Sequence, residues 1–183
     1  MALYTLLIAI NNYALASNVP ALSGCENDIK SLRNFLEKRY PEETARLKTL
    51  LNEAATYDNI IAHFGKEHLL KAKEGDLVLI HFSGHGARAY SAPEFKSYYP
   101  DGMDENLICY DSRLPGKQDL ADKELAVLIE RIAVQGAEVI VILDCCQSGS
   151  GTRGSQDMAI ASARQWENRE EVRPLNTYLK WVF

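Results

Sequence analysis

The chain has 183 residues, of which 46% are hydrophobic and 25% charged, and its formal net charge is −5. This length supplies one substantial hydrophobic core, so we expect a single main domain. An acidic chain without a basic stripe cannot neutralise a row of phosphates, which argues against nucleic acid and favours cationic substrates. The first apolar run is too short to span a bilayer and lacks a positive leader and a cleavage site, so a soluble, cytoplasmic protein without a membrane partner is expected.

Apolar runs and helical stripes alternate along the chain. The runs, rich in β-branched residues, predict strands at 3–10, 47–51, 76–82, 106–110 and 138–143. Apolar residues at three-to-four-residue spacing predict helices around 29–36, 60–64 and 125–132. Nearly continuous apolarity is typical of strands covered on both faces. The alternation therefore predicts an α/β fold with a mostly parallel central sheet.

Three segments interrupt this alternation. Residues 86–105 are polar and rich in Gly, Pro and Tyr, which predicts a long loop over the active edge of the sheet. We assign residues 1–149 to the main domain and residues 150–174, polar and arginine-rich, to a flexible linker. The stretch "LNTYLKWVF" at 175–183 is interpreted as the beginning of a further strand.

The stretch "VILDCCQSGSG" at 141–151 places two adjacent thiols where a strand gives way to a flexible loop. A thiol with a pKa of about 8.5 needs a base to become a nucleophile near neutral pH. His85, between two glycines at the exit of the strand at 76–82, can supply that base. The backbone N–H of Gly86, with that of the nucleophile, would hold an oxyanion. Two plainer interpretations stay open. His85 can be an ordinary histidine in a turn, and the two adjacent cysteines can be two small buried hydrophobic residues.

The four cysteines, Cys25, Cys109, Cys145 and Cys146, show neither the spacing of a zinc site nor the density of a disulfide scaffold. We therefore expect free thiols in a reducing compartment.

The motifs "INNY", "LSGCENDIKSL", "HFSGHG", "DGMDENLICYD", "LADKEL" and "LDCCQSGSG" occur in this order. In combination, over residues 3–151, they resemble the large-subunit region of the metacaspases and bacterial orthocaspases, the caspase-like cysteine peptidases. The resemblance implies a three-layer sandwich of helices around the sheet, with a Cys–His dyad. The family motif Asp-x-Cys-x-Ser-Gly places the nucleophile on Cys146 and leaves Cys145 to packing. His85 matches the dyad histidine.

The resemblance also implies a specificity pocket for basic residues, formed by Cys25, Asp28, Ser83 and Asp144. Two carboxylates would accept arginine or lysine before the cut bond and reject aspartate, and no arginine occupies either motif. This argues against the aspartate specificity of true caspases. The plainer interpretations are that Asp28 complements a helix dipole and that Asp144 forms a turn.

Calcium-dependent metacaspases hold the ion through paired aspartates in the stretch matching "LADKEL" and through another aspartate after the nucleophile. In this chain the position of the aspartate pair holds Asp122 and Lys123, and the position after the nucleophile holds Arg153. Because cationic side chains repel a divalent cation, we expect no required metal or cofactor. An acidic cluster would attract calcium only weakly; its members are Asp101, Asp104 and Glu105.

The sequence continues only briefly after Cys146, whereas the family usually adds a small-subunit region. We therefore expect a processed or truncated large subunit, whose sheet is completed by its own small-subunit fragment or by another chain. Arg153 and Arg164 are candidate self-cleavage sites, or equally two solvated arginines in a loop.

These observations predict a cysteine endopeptidase that cuts peptides and proteins after arginine or lysine through a thioester. The alternative is an inactive relative that keeps the fold and binds partners. A nucleotide-binding α/β domain is disfavoured, because neither GxGxxG nor GxxxxGK follows a predicted strand.

Overall fold

The structure is a computed structural model that describes residues 1–97, 100–145 and 170–179. Its strands are β1 (Leu3–Ala9), β2 (Leu47–Leu51), β3 (Leu77–Ser83), β4 (Gly86–Tyr90), β5 (Met103–Leu107), β6 (Leu120–Ala121) and β7 (Glu138–Asp144). Its α-helices are α1 (Cys25–Arg39), α2 (Tyr57–His63) and α3 (Asp122–Ala133).

Four strands form a parallel sheet in the order β2-β1-β3-β7. The two central strands, β1 and β3, are buried along almost their whole length, which agrees with their continuous apolar sequences. The predicted mostly parallel α/β sheet is confirmed. Because parallel strands point the same way, the ends of β1, β3 and β7 lie together at one edge.

Successive residues of β1 serve opposite faces of the sheet, as the pleat requires. Leu6 and Ile8 pack in a cluster with apolar residues of α2 and α3. Leu7 and Ala9 pack in a second cluster with α1. The sheet is therefore covered by α1 on one face and by α2 and α3 on the other, which makes the predicted three-layer sandwich.

A second sheet, antiparallel and in the order β4-β5-β6, extends from the end of β3. The strand predicted at 106–110 has other bounds and another place: it is β5, spans Met103–Leu107 and belongs to the small antiparallel sheet. The predicted loop over 86–105 also contains β4. In β4 the inward positions are Ala87 and Ala89, and alanine carries little of the apolar signal by which strands are predicted.

The stretch interpreted as the beginning of a further strand is described only in part, because residues 180–183 lie outside the described residues. Within it, Leu175–Thr177 form a 3₁₀ turn. The turn is favoured locally because the hydroxyl of Thr177 donates to the carbonyl of Pro174 at 2.7 Å. Arg173, at the end of the predicted linker, is buried; linker residues 150–169 lie outside the described residues.

No α-helix in the described parts of the chain is both long and apolar enough to cross a membrane.

Candidate active site

The site lies at the carboxyl edge of the parallel sheet, where three strand ends stand in one row. Ala9 is paired with Ser83, and Ser83 is paired with Asp144. The hydroxyl of Ser83 donates to a carboxylate oxygen of Asp144 at 3.2 Å. The row thus brings together two of the residues predicted for the specificity pocket.

His85 follows two residues after Ser83 and is almost completely buried. Its Nε2 lies 3.1 Å from the carbonyl oxygen of Pro20. Since a carbonyl oxygen only accepts hydrogen bonds, Nε2 is the nitrogen that carries the proton. In the neutral ring this leaves the lone pair on Nδ1, which is therefore the basic nitrogen.

Tyr13 fixes the backbone of His85. The phenol oxygen accepts the backbone N–H of His85 at 2.8 Å, and the two ring centroids are 5.4 Å apart. Burial raises the pKa of the Tyr13 phenol far above its ordinary value, so the hydroxyl stays neutral. Tyr13 is not among the predicted site residues. The sequence feature that could have pointed to it is its place in "INNY", just after the first strand.

Gly84 makes this contact possible. A Cβ at this position would lie 2.9 Å from the ring of Phe82 and 3.1 Å from the Tyr13 hydroxyl. Only glycine therefore lets the chain pass so close to both rings. Gly86, predicted to contribute to the oxyanion hole, is buried at the first position of β4.

The beginning of α1 is tied to two strand ends by amide side chains. Asn11 accepts the backbone N–H of Cys25 at 3.1 Å and donates to Glu26 at 3.2 Å. Asn52 also donates to Glu26, at 2.8 Å, and accepts the backbone N–H of Asn11 at 2.9 Å. This network was not predicted, although Asn11 follows β1 and Asn52 follows β2 directly. It fixes the start of α1 against the row of strand ends.

The two other predicted pocket residues lie on the first turn of α1. Cys25 is fully buried and packs in the cluster that contains Ala9. Asp28 is exposed, and its backbone N–H donates to the carbonyl of Gly24, which has a φ of 107°. A shared pocket of Asp28 and Asp144 stays a prediction.

The predicted nucleophile Cys146 and the predicted cleavage sites Arg153 and Arg164 lie outside the described residues. Cys145 is half-buried and packs against the larger core cluster. Cys146 follows Asp144 by two residues, as His85 follows Ser83.

The residues that match a calcium pair do not fit a divalent cation. The Lys123 ammonium lies 2.7 Å from Asp104 and 3.3 Å from Asp122, and it donates to the carbonyl of Met103 at 3.0 Å. A positive charge is thus already present between these carboxylates. Asp101 pairs separately with Arg88 at 3.0 Å. Within the described ranges, no three His, Cys, Asp or Glu side chains are grouped as metal ligands.

A buried histidine stands beside a buried serine that is hydrogen-bonded to a half-buried aspartate, at the carboxyl edge of a helix-covered parallel sheet. This is the arrangement expected of a caspase-like α/β protein. Residues 4–153 match the family model of the metacaspase, peptidase C14 domain. The chain therefore belongs to the metacaspase family, as its motifs predicted.

Two metacaspases and one solved structure are among the proteins that are similar to this chain. Metacaspase III c of Phaeodactylum tricornutum is 31% identical over 149 residues, which are 79% of this chain and 42% of that protein. Metacaspase-7 of Arabidopsis thaliana is 26% identical over 174 residues, 93% of this chain and 40% of the relative. A crystal structure of a Geobacter sulfurreducens protein superposes with a TM-score of 0.64 at 25% identity, covering 98% of this chain and 60% of that one. The chain thus spans well under half the length of these two metacaspases.

Replacing Tyr13 by phenylalanine tests whether the Tyr13 hydroxyl stabilises the backbone of His85. The variant leaves a buried backbone N–H without its acceptor, so we expect the free energy of unfolding to fall by about 1–3 kcal/mol. Urea unfolding measures this difference. Tyr90→Phe, at a more exposed tyrosine of β4, is the matched control and should change the value by less than about 0.5 kcal/mol. Equal effects of the two variants would contradict the role assigned to Tyr13.

Proposed function

We propose that this chain is the catalytic part of a cysteine endopeptidase that cuts after arginine or lysine. The observation that carries the proposal is the hydrogen bond between Ser83 and Asp144. It ties together the two strand ends from which His85 and Cys146 follow. Membership of the metacaspase family supports the reaction class.

In the proposed reaction, Nδ1 of His85 takes the proton of the Cys146 thiol, and the thiolate attacks the carbonyl carbon of the peptide bond. The oxyanion accepts hydrogen bonds from the backbone N–H groups of Gly86 and Cys146. The carbon–nitrogen bond then breaks, the amine leaves with the proton from His85, and a thioester remains. Water, deprotonated by His85, hydrolyses the thioester and regenerates the thiol.

The carbonyl of Pro20 acts as the orienting group for this histidine. By accepting from Nε2 at 3.1 Å, it selects the tautomer whose basic nitrogen is Nδ1. It also stabilises the imidazolium that forms when Nδ1 takes a proton. The role is that of the third member of a catalytic triad, here filled by a backbone carbonyl.

The preference for basic residues is assigned to Asp144 and Asp28. The Ser83 hydroxyl donates to the Asp144 carboxylate, which holds that carboxylate at the strand end without neutralising its charge. A substrate arginine or lysine would supply the opposite charge. An aspartate there would face a like charge, which costs several kcal/mol when the groups are desolvated.

We further infer that the reaction does not require calcium. The support is the ammonium of Lys123, which lies between the carboxylates of Asp104 and Asp122, where a divalent cation would be repelled.

A fluorogenic peptide assay tests the proposed activity. Arginine substrates should be hydrolysed by the wild type, and His85→Ala or Cys146→Ala should lower kcat by about a hundredfold or more, since each removes a member of the dyad. Cys145→Ala is the matched control for the adjacent thiol and should retain activity. Asp144→Asn should lower kcat/KM for arginine substrates by about tenfold or more. A calcium chelator should change nothing.

Identical traces for the wild type, His85→Ala and Cys146→Ala would favour the alternative, a regulator without turnover. Faster hydrolysis of aspartate substrates would contradict the assigned specificity, and activity restored by calcium after chelation would contradict calcium independence.

Self-processing is proposed at Arg153 and Arg164, which follow the nucleophile in polar sequence. Incubated wild-type protein should yield fragments that end at one or both arginines, and intact-mass spectrometry would identify them. Arg153→Gln and Arg164→Gln should each remove the corresponding fragment, while Cys146→Ala should stay whole. The proposal fails if no fragment ends at either arginine, or if Cys146→Ala gives the same fragments.

Among the described residues β7 has a partner strand on one side only, and its other side supports a partner that completes the sheet. This strand ends the order of the parallel sheet, and Ile140 and Ile142 on one of its faces are 48% and 41% exposed. Exposed apolar residues beside an unpaired strand edge favour the addition of another strand. We infer that a strand of a second chain pairs with β7.

Sedimentation of the purified chain tests this pairing. The wild type should sediment as an associated species, and Ile142→Lys should shift it towards the 20.5 kDa of a single chain, because a charge would be placed in the contact. Val134→Lys, at an exposed position after α3, should leave the association unchanged. A wild type that sediments as a single chain at all concentrations would overturn the inference.

A further inference from the structure

Asn52 lies directly after the last residue of β2 and has a φ of 44°. This value is in the left-handed region, which asparagine, aspartate and glycine adopt more readily than other residues. A residue that its surroundings hold in this region is a candidate for a functional role. The contacts of its side chain show what that role is.

The amide oxygen of Asn52 holds the base of the loop that leaves β1. It accepts the backbone N–H groups of Asn11 and Asn12, each at 2.9 Å. The carbonyl of Asn11 in turn accepts the backbone N–H of Leu22 at 2.8 Å, which closes residues 11–22 into a loop, here called the β1 loop. One side-chain oxygen therefore fixes the point at which both ends of the β1 loop meet.

The β1 loop carries two groups that hold His85. Tyr13, the residue after Asn12, accepts the backbone N–H of His85 at 2.8 Å. The carbonyl of Pro20, two residues before Leu22, lies 3.1 Å from Nε2 of the ring. Because both groups lie within two residues of the loop base, a shift of that base would move the support of the backbone and of the ring together.

The amide nitrogen of Asn52 fixes the orientation of the side chain. It donates to a carboxylate oxygen of Glu26 at 2.8 Å, and the side-chain nitrogen of Asn11 donates to the same oxygen at 3.2 Å. A carboxylate accepts hydrogen bonds and a backbone N–H donates them, so the network assigns the nitrogen and the oxygen of the amide without ambiguity. The Asn52 side chain is thus bound at both ends in a single orientation.

We propose that Asn52 is a positioning residue for the peptidase reaction. By holding the base of the β1 loop, it keeps the proton of His85 on Nε2 and leaves Nδ1 as the nitrogen that takes the proton of the Cys146 thiol. Asn52 acts through Tyr13 and Pro20. Its effect on turnover rests on the proposed function, whereas its effect on the imidazole does not depend on turnover.

Nitrogen NMR of the histidine side chains tests the proposal without a substrate, at a pH where the ring is neutral. In the wild type, His85 should be held in the Nε2–H tautomer. Asn52→Gly removes the amide but suits the left-handed backbone, and it should shift His85 towards a mixture of the two tautomers. The signal of His85 is identified by its loss in His85→Ala.

A second histidine and a second asparagine serve as matched controls. His68 is also buried, its Nε2 lies 3.0 Å from the carbonyl oxygen of Thr5, and its tautomer should not change in Asn52→Gly. Asn18 is exposed in the β1 loop and has a φ of 56°, so Asn18→Gly should leave both histidines as in the wild type. Equal changes at His68 and His85, or equal effects of the two glycine variants, would overturn the proposal.

Turnover of arginine substrates provides a second readout. Asn52→Gly should lower kcat by about tenfold or more, since the histidine is misplaced. Its KM should change by less than about twofold, because Asn11 still holds Glu26 at the beginning of α1. Asn52→Asp combined with Glu26→Gln keeps an oxygen for the two N–H groups and an amide beside the carboxylate, so its kcat should stay within about threefold of the wild type.

The two proposals fail on different observations. A wild type that does not hydrolyse arginine substrates would contradict the proposed function, and the NMR comparison would still decide the role of Asn52. An unchanged His85 tautomer in Asn52→Gly, with the circular dichroism of the wild type, would overturn that role even in an active peptidase. If Asn52→Gly does not fold, Asn52→Ala carries the test, with Asn18→Ala as its control.

Discussion

The register of the parallel sheet is the constraint on which the candidate site depends. Pairing β1 with β3 and β3 with β7 sets Ala9, Ser83 and Asp144 side by side. A slip of one residue in either pairing would turn Ser83 or Asp144 to the opposite face, and their hydrogen bond could not form. The apolar packing on both faces fixes this register, so the core of the domain also determines the geometry of its edge.

The loops beyond the strand ends are fixed mainly by polar side chains. Tyr13 holds the backbone of His85, and Pro20 orients its ring. Asn11 and Asn52 hold the beginning of α1 through Glu26. Such contacts keep catalytic side chains in place on a loop, where backbone pairing alone does not. The site is therefore preorganised on the histidine side.

The main sheet could be predicted because β1, β3 and β7 are nearly continuous apolar runs. The bounds predicted for β2, a weaker run that contains Lys48 and Thr49, also agree at both ends. Strand β4 could not be predicted, since its buried positions are alanines. The burial of Arg173 was also unforeseen, because its sequence is polar and its partner Glu124 is 49 residues away. Ser83 and Asp144 were found through family motifs, whereas Tyr13 and Asn52 depend on tertiary contacts that single-sequence patterns do not contain.

The most direct test of the account is the pKa of the Cys146 thiol, measured from the pH dependence of its alkylation in a Cys145→Ala background. If His85 shares a proton with this thiol, the reaction should titrate below the ordinary value of about 8.5 and return towards it in His85→Ala. Superimposable pH profiles with and without the imidazole would show that the two side chains do not act together.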